Sequence, residues 1–169
     1  MDARDVLVEL FGRQPELVRT AVEGLSAEQL RRAPGTGANP VGWIVWHLTR
    51  VQDHHVSELA GTGQVWVEDG WAGRFGLAAD PDDHGYGHTP EQVAAVRPES
   101  WRALVDYHAA VLERTEKFVR GLGPDDLDRV VDERWDPPVT CGVRLASVID
   151  DDAQHLGQAA YVRGLISTS

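Results

Sequence analysis

The chain has 169 residues, of which 42% are hydrophobic, so it is long enough to bury a core as a single domain over residues 1–169. Its net charge is −11 and no basic run is longer than Arg31-Arg32, which argues against binding to nucleic acid or to anionic membranes. No apolar run approaches the roughly 20 residues of a transmembrane helix, and the first residues lack the pattern of a signal peptide. A single cysteine, Cys141, excludes an internal disulfide, and we expect a cytoplasmic protein.

The first helical pattern covers residues 3–24, where apolar residues recur at helical spacing. Pro15 lies inside this pattern, and a proline in a helix interior removes a hydrogen bond and clashes with the preceding turn. We therefore expect the helix to be kinked or divided there. Ser26-Ala-Glu-Gln29 then has the form of a capping box, and it predicts a short helical turn that Pro34 ends.

The second long helix is expected to start at Asn39, as the N-cap, with Pro40 in the first helical position, and to run to about Ala60. Residues 61–88 are rich in glycine, aspartate and proline and contain scattered aromatic residues without a clear period. Such a segment is longer than an ordinary connection, and loops of this length often carry function. Thr89 begins a second capping box and predicts another short helix.

The third and fourth long helices follow in the second half of the chain. One is predicted from just after Pro98 to Gly121. Residues 130–139, with two consecutive prolines, predict an extended crossover, and Thr140 then caps a helix that runs to Gly164. Four long amphipathic helices with one long excursion indicate an all-α fold, a four-helix bundle with a long crossover loop.

Asp151 and His155 are candidate metal ligands on the fourth helix. They are four residues apart, so they project from nearly the same face, one turn apart. A carboxylate oxygen and an imidazole nitrogen so placed can converge on one ion. Asp152, three residues before His155, is equally within reach on spacing alone. The alternative is an acidic, solvated face at residues 150–152 beside a hydrogen-bonded core histidine.

Three histidines on the second helix are candidates for a further ligand. His47 lies at the shoulder of the apolar stripe, His54 lies on the same side, and His55 falls nearer the centre of the stripe. Periodicity does not choose among them. A histidine in such a place is also typical of a packed core side chain that ligates nothing.

Four segments of the sequence carry a family resemblance. They are residues 39–50 (NPVGWIVWHLTR), 85–92 (GYGHTPEQ), 132–138 (DERWDPP) and 151–164 (DDAQHLGQAAYVRG). In this order and spacing they resemble the DinB/YfiT-like superfamily. More narrowly, they are similar to the actinobacterial mycothiol-dependent transferases and to the metal-binding domain of mycothiol-dependent maleylpyruvate isomerase.

The resemblance implies a ligand set. Members of the superfamily bind a divalent metal through one histidine on the second helix and an i, i+4 pair on the fourth, which here are His47, Asp151 and His155. Many relatives have histidine where this chain has Asp151, whereas the isomerase has the combination of an acid with two histidines. The remaining candidates become surface groups or groups that support the ligands, namely His54, His55 and Asp152.

The resemblance also implies a function. It predicts a metal-dependent thiol S-transferase, in which a divalent metal, Zn²⁺ by default, activates the thiol of mycothiol for attack on an electrophile held by the aromatic-rich loop. One alternative is a thiol-dependent isomerase, although the related isomerase has a further C-terminal domain that a chain of 169 residues is not expected to hold. Another is a helical module that binds a metal or small ligand without turnover.

Binding of the thiol and the electrophile is expected to involve arginines and residues of the long loop. Arginine side chains suit the carboxylates of a thiol cofactor, although salt bridges with the many acids explain them equally well. The loop histidines are candidates for substrate contacts, with ordinary surface positions as the alternative. The predicted thiol-binding residues are Arg50, Tyr86, His88 and Arg163. By resemblance we also expect a homodimer.

Overall fold

The computed structural model describes residues 1–167, most of which lie in helices. The all-α prediction is confirmed. The α-helices, in chain order, are α1 (Ala3–Gly12), α2 (Gln14–Val22), α3 (Ala27–Arg31), α4 (Val41–Ala60), α5 (Val65–Glu68), α6 (Pro90–Ala95), α7 (Trp101–Gly121) and α8 (Cys141–Ser167). Two short 3₁₀ helices, Trp71–Phe75 and Asp126–Asp128, and two short strands, β1 (Val130–Asp132) and β2 (Val139–Thr140), complete the described part.

Four helical arms form the bundle, as the sequence predicted. The first arm is α1 followed by α2, and the other three are α4, α7 and α8. The helix α4 packs against both α7 and α8, while α2 packs against α8 and α1 against α7. This arrangement brings the middle of α4 beside the middle of α8, which positions the candidate metal ligands. Within residues 1–167, no helix is both long enough and apolar enough to cross a membrane.

Pro15 divides the first arm, as expected. The helix α1 ends at Gly12 and α2 begins at Gln14, with the proline in the first turn of α2, where a missing N–H costs nothing. The two capping boxes are also confirmed: Ser26 accepts a hydrogen bond from Gln29 N–H at 3.2 Å before α3, and Thr89 caps α6 in the same way.

The start of α4 differs from the prediction by one residue. Pro40 is the N-cap, with extended backbone (ψ 152°), and Asn39 makes no side-chain cap. The carbonyl of Pro40 accepts the first helical hydrogen bond, from Ile44 N–H at 3.0 Å. The predicted end at Ala60 is confirmed by Gly61, which adopts the left-handed conformation of a helix C-cap (φ 66°).

The start of α8 is as predicted, because Thr140 Oγ1 accepts from Val143 N–H at 3.3 Å. The helix continues past the predicted end at Gly164. The predicted extended crossover before it is an antiparallel pair in which Val130 lies opposite Thr140.

The long loop 61–88 has more regular structure than its composition suggests, since it contains α5 and a 3₁₀ helix. Its large aromatic side chains, Trp66 and Phe75, are buried against the bundle, with the Trp66 ring 6.1 Å from Trp46 and 5.4 Å from Tyr107. The apolar area that they remove from water stabilises the loop on one face of the bundle. These two aromatic residues therefore extend the core, and they do not line an open pocket for an electrophile.

Candidate metal site

His47 of α4 and the pair Asp151 and His155 of α8 come together in the structure. Their potential ligand atoms all lie within 4.8 Å of one another. The helical spacing places the α8 pair on one face, and the packing of α4 against α8 brings His47 to it. His47 is 7% exposed, whereas the side chains of Asp151 and His155 are 34% and 17% exposed, so the site is reached from the α8 side.

The ring of His47 is held by two contacts from its surroundings. Its Nδ1–H donates to the backbone carbonyl of His84 at 2.5 Å, and its ring stacks on Trp43 with centroids 4.7 Å apart and planes 9° apart. Because a carbonyl oxygen only accepts hydrogen bonds, the proton of neutral His47 lies on Nδ1. The lone pair of Nε2 is therefore free to bind a metal, an arrangement in which a backbone carbonyl orients a ligating histidine.

His155 is oriented by its own helix. Its Nδ1–H donates to the backbone carbonyl of Asp151 at 2.8 Å, which again leaves Nε2 with a free lone pair. Asp151 Oδ2 lies 3.2 Å from that nitrogen, but the oxygen is buried and no residue in the described part of the chain gives it a well-aligned hydrogen bond. A buried carboxylate oxygen without a hydrogen bond is costly. Beside two imidazole lone pairs, it completes a donor set that a divalent cation would satisfy.

The acid–base properties of the three side chains fit a cation site. Burial lowers the pKa of His47, so this imidazole is neutral at pH 7. Burial acts to raise the pKa of Asp151, but the neighbouring imidazoles, His155 first, outweigh it, and the net shift is downward. The contact with the Asp151 carboxylate raises the pKa of His155. A metal ion bound at Nε2 would replace the proton that His155 takes up on that nitrogen.

Gly85 packs against the His47 ring on its Nδ1 side. Its backbone has φ +93°, a conformation that side chains disfavour, and a Cβ on it would lie 2.8 Å from His47 Nδ1 and 2.9 Å from the Trp46 ring. The residue next to His84 therefore has to be glycine for the carbonyl of His84 to reach the imidazole.

The four predicted thiol-binding residues differ in their exposure to solvent. Arg50 is 0% exposed, and its guanidinium donates to protein acceptors, so it presents no surface to a ligand. His88 is half-buried between Trp43, whose Nε1–H donates to its Nδ1 at 3.2 Å, and Asp83, 2.7 Å from its Nε2. Both ring nitrogens are thus engaged within the protein.

The other two predicted thiol-binding residues lie nearer solvent. Tyr86 is 88% exposed on the loop, one residue beyond Gly85. Arg163 lies eight residues beyond His155, about 12 Å farther along α8, and donates to the carbonyl of Glu23 at 2.9 Å. Tyr86 is therefore the predicted thiol-binding residue whose side chain is most open to solvent.

His54 and His55 form a second histidine group, whose ligand atoms and that of Glu58 lie within 4.8 Å of one another. However, His55 Nδ1 accepts a hydrogen bond from the guanidinium of Arg144 at 2.9 Å. A metal there would have to displace a cation that already uses the lone pair. The structure therefore favours the site at His47.

Asp152 and Cys141 lie in the interior. Asp152 is fully buried and accepts a hydrogen bond from Gln14 of α2 at 3.0 Å, so of the two expectations for this residue, a surface group or a group that supports the ligands, the surface position is wrong. Cys141 is also buried, and burial raises the pKa of its thiol, which disfavours the reactive thiolate. The cysteine contributes to packing.

Sequence reasoning missed three groups around the site: the backbone carbonyl of His84 and the buried side chains of Asp53 and Tyr107. A signal for one of them exists in the sequence. Arg50 and Asp53 are opposite charges three residues apart in α4, a spacing that pairs them on one face.

The model of the mycothiol-S-transferase family matches residues 6–168 of the chain. The chain belongs to this family. The predicted resemblance is thereby confirmed over nearly the whole sequence. No curated protein matches the chain.

One solved structure extends the comparison: the crystal structure of a conserved protein of locus from Enterococcus faecalis is 30% identical to this mycothiol-S-transferase family member. The alignment covers 100% of this chain and 99% of the other, with a TM-score of 0.91. The similarity therefore includes the long loop over the site as well as the four arms of the bundle.

Proposed function

We propose that the protein is a divalent-metal-dependent S-transferase that transfers the thiol of mycothiol to an electrophilic substrate. The observation that carries the proposal is the convergence of His47, Asp151 and His155 within 4.8 Å, with both imidazoles presenting free Nε2 lone pairs. Membership of the mycothiol-S-transferase family supports the identity of the thiol and the class of reaction.

The chemistry follows from the donor set. A Zn²⁺ ion, when bound by two neutral imidazoles and one carboxylate, keeps a net positive charge and an open position, and it stabilises the thiolate form of a sulfur ligand. His47 holds its lone pair toward the site through the carbonyl of His84. Asp151 supplies the negative charge, and its partial exposure leaves an approach for thiol and electrophile. Fe²⁺, Ni²⁺ and Mn²⁺ accept the same kinds of ligand, and elemental analysis of the purified protein distinguishes them from Zn²⁺.

The first experiment compares two adjacent aspartates of α8 in protein purified without added metal. Asp151→Asn removes the ligand charge, while Asp150→Asn makes the same chemical change at an exposed residue whose carboxylate accepts a hydrogen bond from Gln154 at 2.8 Å. We expect the wild type and Asp150→Asn to contain about one equivalent of metal and to consume mycothiol with a generic electrophile. Asp151→Asn should lose the metal and at least 100-fold of kcat/KM, since a ligand to the catalytic metal is gone.

Chelation gives an independent readout. Because a ligand that binds only the folded state stabilises it by mass action, treatment with a chelator should lower the Tm of the wild type and of Asp150→Asn, and leave that of Asp151→Asn unchanged. Metal uptake without any thiol consumption would favour the non-catalytic binding module. If the wild-type protein contains no metal and binds none when metal is added, the proposed metal-dependent function is wrong.

A further inference from the structure

Two buried charges of α4, Arg50 and Asp53, hold opposite ends of the long loop. Asp53 accepts hydrogen bonds from the backbone N–H of Val65 at 3.0 Å and of Trp66 at 2.8 Å, at the beginning of the loop. The two side chains are 0% and 1% exposed and lie 3.6 Å apart. Both charges are therefore removed from water and are compensated within the protein.

Arg50 holds the end of the loop that leads to the metal site. Its Nε donates to the carbonyl of Asp83 at 3.0 Å, and one terminal nitrogen donates to the carbonyls of Pro81 at 3.1 Å and Asp80 at 3.4 Å. The other terminal nitrogen donates to Gln64 Oε1 at 2.9 Å and contacts Tyr107 Oη at 3.4 Å. The five N–H donors of the guanidinium thus meet five acceptors.

The hydroxyl of Tyr107 joins the two charges. It donates to Asp53 Oδ2 at 2.8 Å while it accepts from Arg50. A buried ion pair adds little net stability, because the loss of hydration offsets the attraction, whereas the planar guanidinium imposes a specific geometry on its acceptors. The network is therefore suited to fixing a loop conformation.

The last carbonyl held by Arg50 belongs to Asp83, and the next carbonyl along the chain, of His84, accepts from Nδ1 of His47. We infer that the Arg50–Asp53 pair is a positioning device that holds the His84 carbonyl against His47 and so keeps the Nε2 lone pair of that histidine directed at the metal. The inference rests on the proposed function and assigns to Arg50 a role other than thiol binding.

The test uses Arg50→Lys, which keeps the positive charge and loses the fork of donors. Without the guanidinium donors the loop is expected to shift. Neutral His47 is then expected to exchange between its two tautomers, one of which has no lone pair on Nε2. In metal-free protein at pH 8, the imidazole ¹⁵N spectrum of wild-type His47 should show the Nδ1–H form alone, and Arg50→Lys should show a mixture. The Kd for Zn²⁺, from competition with a chromophoric chelator, should rise about 10- to 100-fold.

Arg114→Gln is the matched control. Arg114 also bonds to the loop, through the carbonyl of Gly63 at 3.0 Å and Glu68 at 2.7 Å, but at the end far from His84 in sequence. This variant should lower the Tm and leave both the His47 spectrum and the Kd for Zn²⁺ as in the wild type. A purely structural role of Arg50 would give the same result as the control.

Tyr107→Phe covers the case in which Arg50→Lys does not fold. It removes only the hydroxyl between the two charges, and it should change the His47 spectrum and the Kd in the same direction to a smaller extent. The inference is overturned if either folded variant keeps the wild-type tautomer and the wild-type Kd. If wild-type protein binds no Zn²⁺, the proposed function fails, and the His47 spectrum of metal-free protein still decides whether the pair positions this histidine.

Discussion

The two helices that supply the metal ligands are built differently. Near its ligand, α4 buries polar side chains on several sides, and these make tertiary hydrogen bonds to the loop and to α7. In α8 the ligands are partly exposed, and the contact that orients His155 is with the backbone of Asp151, one turn earlier in the same helix.

This difference indicates which side of the metal site tolerates mutations elsewhere in the molecule. The α8 pair depends on helical geometry, which survives changes elsewhere in the molecule. His47 depends on a carbonyl from a loop 37 residues away, so its orientation is lost whenever the loop moves. Mutations that disturb the loop should therefore affect the α4 side of the site strongly, while changes along the exposed face of α8 should have small effects.

The largest effect is expected at Gly85. In Gly85→Ala the added Cβ would lie 2.8 Å from His47 Nδ1, and the left-handed backbone is strained for alanine as well. We expect the free energy of unfolding to fall by about 2–4 kcal/mol, from overpacking and strain together. The Kd for Zn²⁺ should rise at least tenfold. Urea unfolding and chelator competition measure the two effects.

Gly87→Ala is a control that separates the steric clash with His47 from the strain of a left-handed backbone. Gly87 has a similar φ of +72°, but apart from its two chain neighbours no residue among 1–167 has a heavy atom within 4 Å of the position of its Cβ. Its substitution should cost about 1 kcal/mol and leave the affinity for Zn²⁺ unchanged. Equal affinities for Zn²⁺ in the two alanine variants would show that the contact between Gly85 and His47 is not needed.

A change of pH is expected to have an intermediate effect on stability, through a histidine at the contact between α4 and α8. Burial, with the Arg144 guanidinium of α8, lowers the pKa of His55 in α4 to about 4. Because this folded-state pKa is below the unfolded value, the folded state binds fewer protons, so stability is present above pH 6.5 and is lost as pH falls toward 4. With 29% of the side chain exposed, we expect metal-free protein to lose about 1–2 kcal/mol from this group between pH 7.5 and pH 5.

The variant His55→Gln isolates this contribution. Glutamine can accept the hydrogen bond from Arg144, and it does not titrate. Its free energy of unfolding, from urea titrations at both pH values, should therefore fall less steeply with acid than that of the wild type. Identical slopes for the two proteins would assign the acid sensitivity to other groups.

The smallest effect is expected at Arg163, on the side of α8 near α2. Arg163→Gln removes the hydrogen bond to the carbonyl of Glu23 and should cost about 0.5–1 kcal/mol of unfolding free energy, with no change in the Kd for Zn²⁺. Arg19→Gln, which breaks an exposed ion pair of 3.7 Å with the side chain of Glu23, is the control and should cost less. A raised KM for mycothiol in Arg163→Gln alone would support the predicted thiol contact.

The helices were largely predictable because their signals are local. The capping boxes at Ser26 and Thr89, the division at Pro15 and the cap at Thr140 depend on residues within one turn of each other, and the structure places all of them as expected. The long loop was not predictable in the same way. Its aromatic residues have no period, and their burial depends on Trp46 and Tyr107 in other helices.

For the site, the amino-acid sequence by itself determined that His155 shares a helix face with an aspartate one turn earlier, since side chains three or four residues apart in a helix lie on one face, and it left Asp151 and Asp152 as alternatives. Spacing did not distinguish His47 from His54 and His55, and it did not show that Arg50 faces loop carbonyls. Those assignments were decided by the tertiary structure, because the orientation of a buried histidine or arginine depends on which distant acceptors the packed chain brings within hydrogen-bond distance.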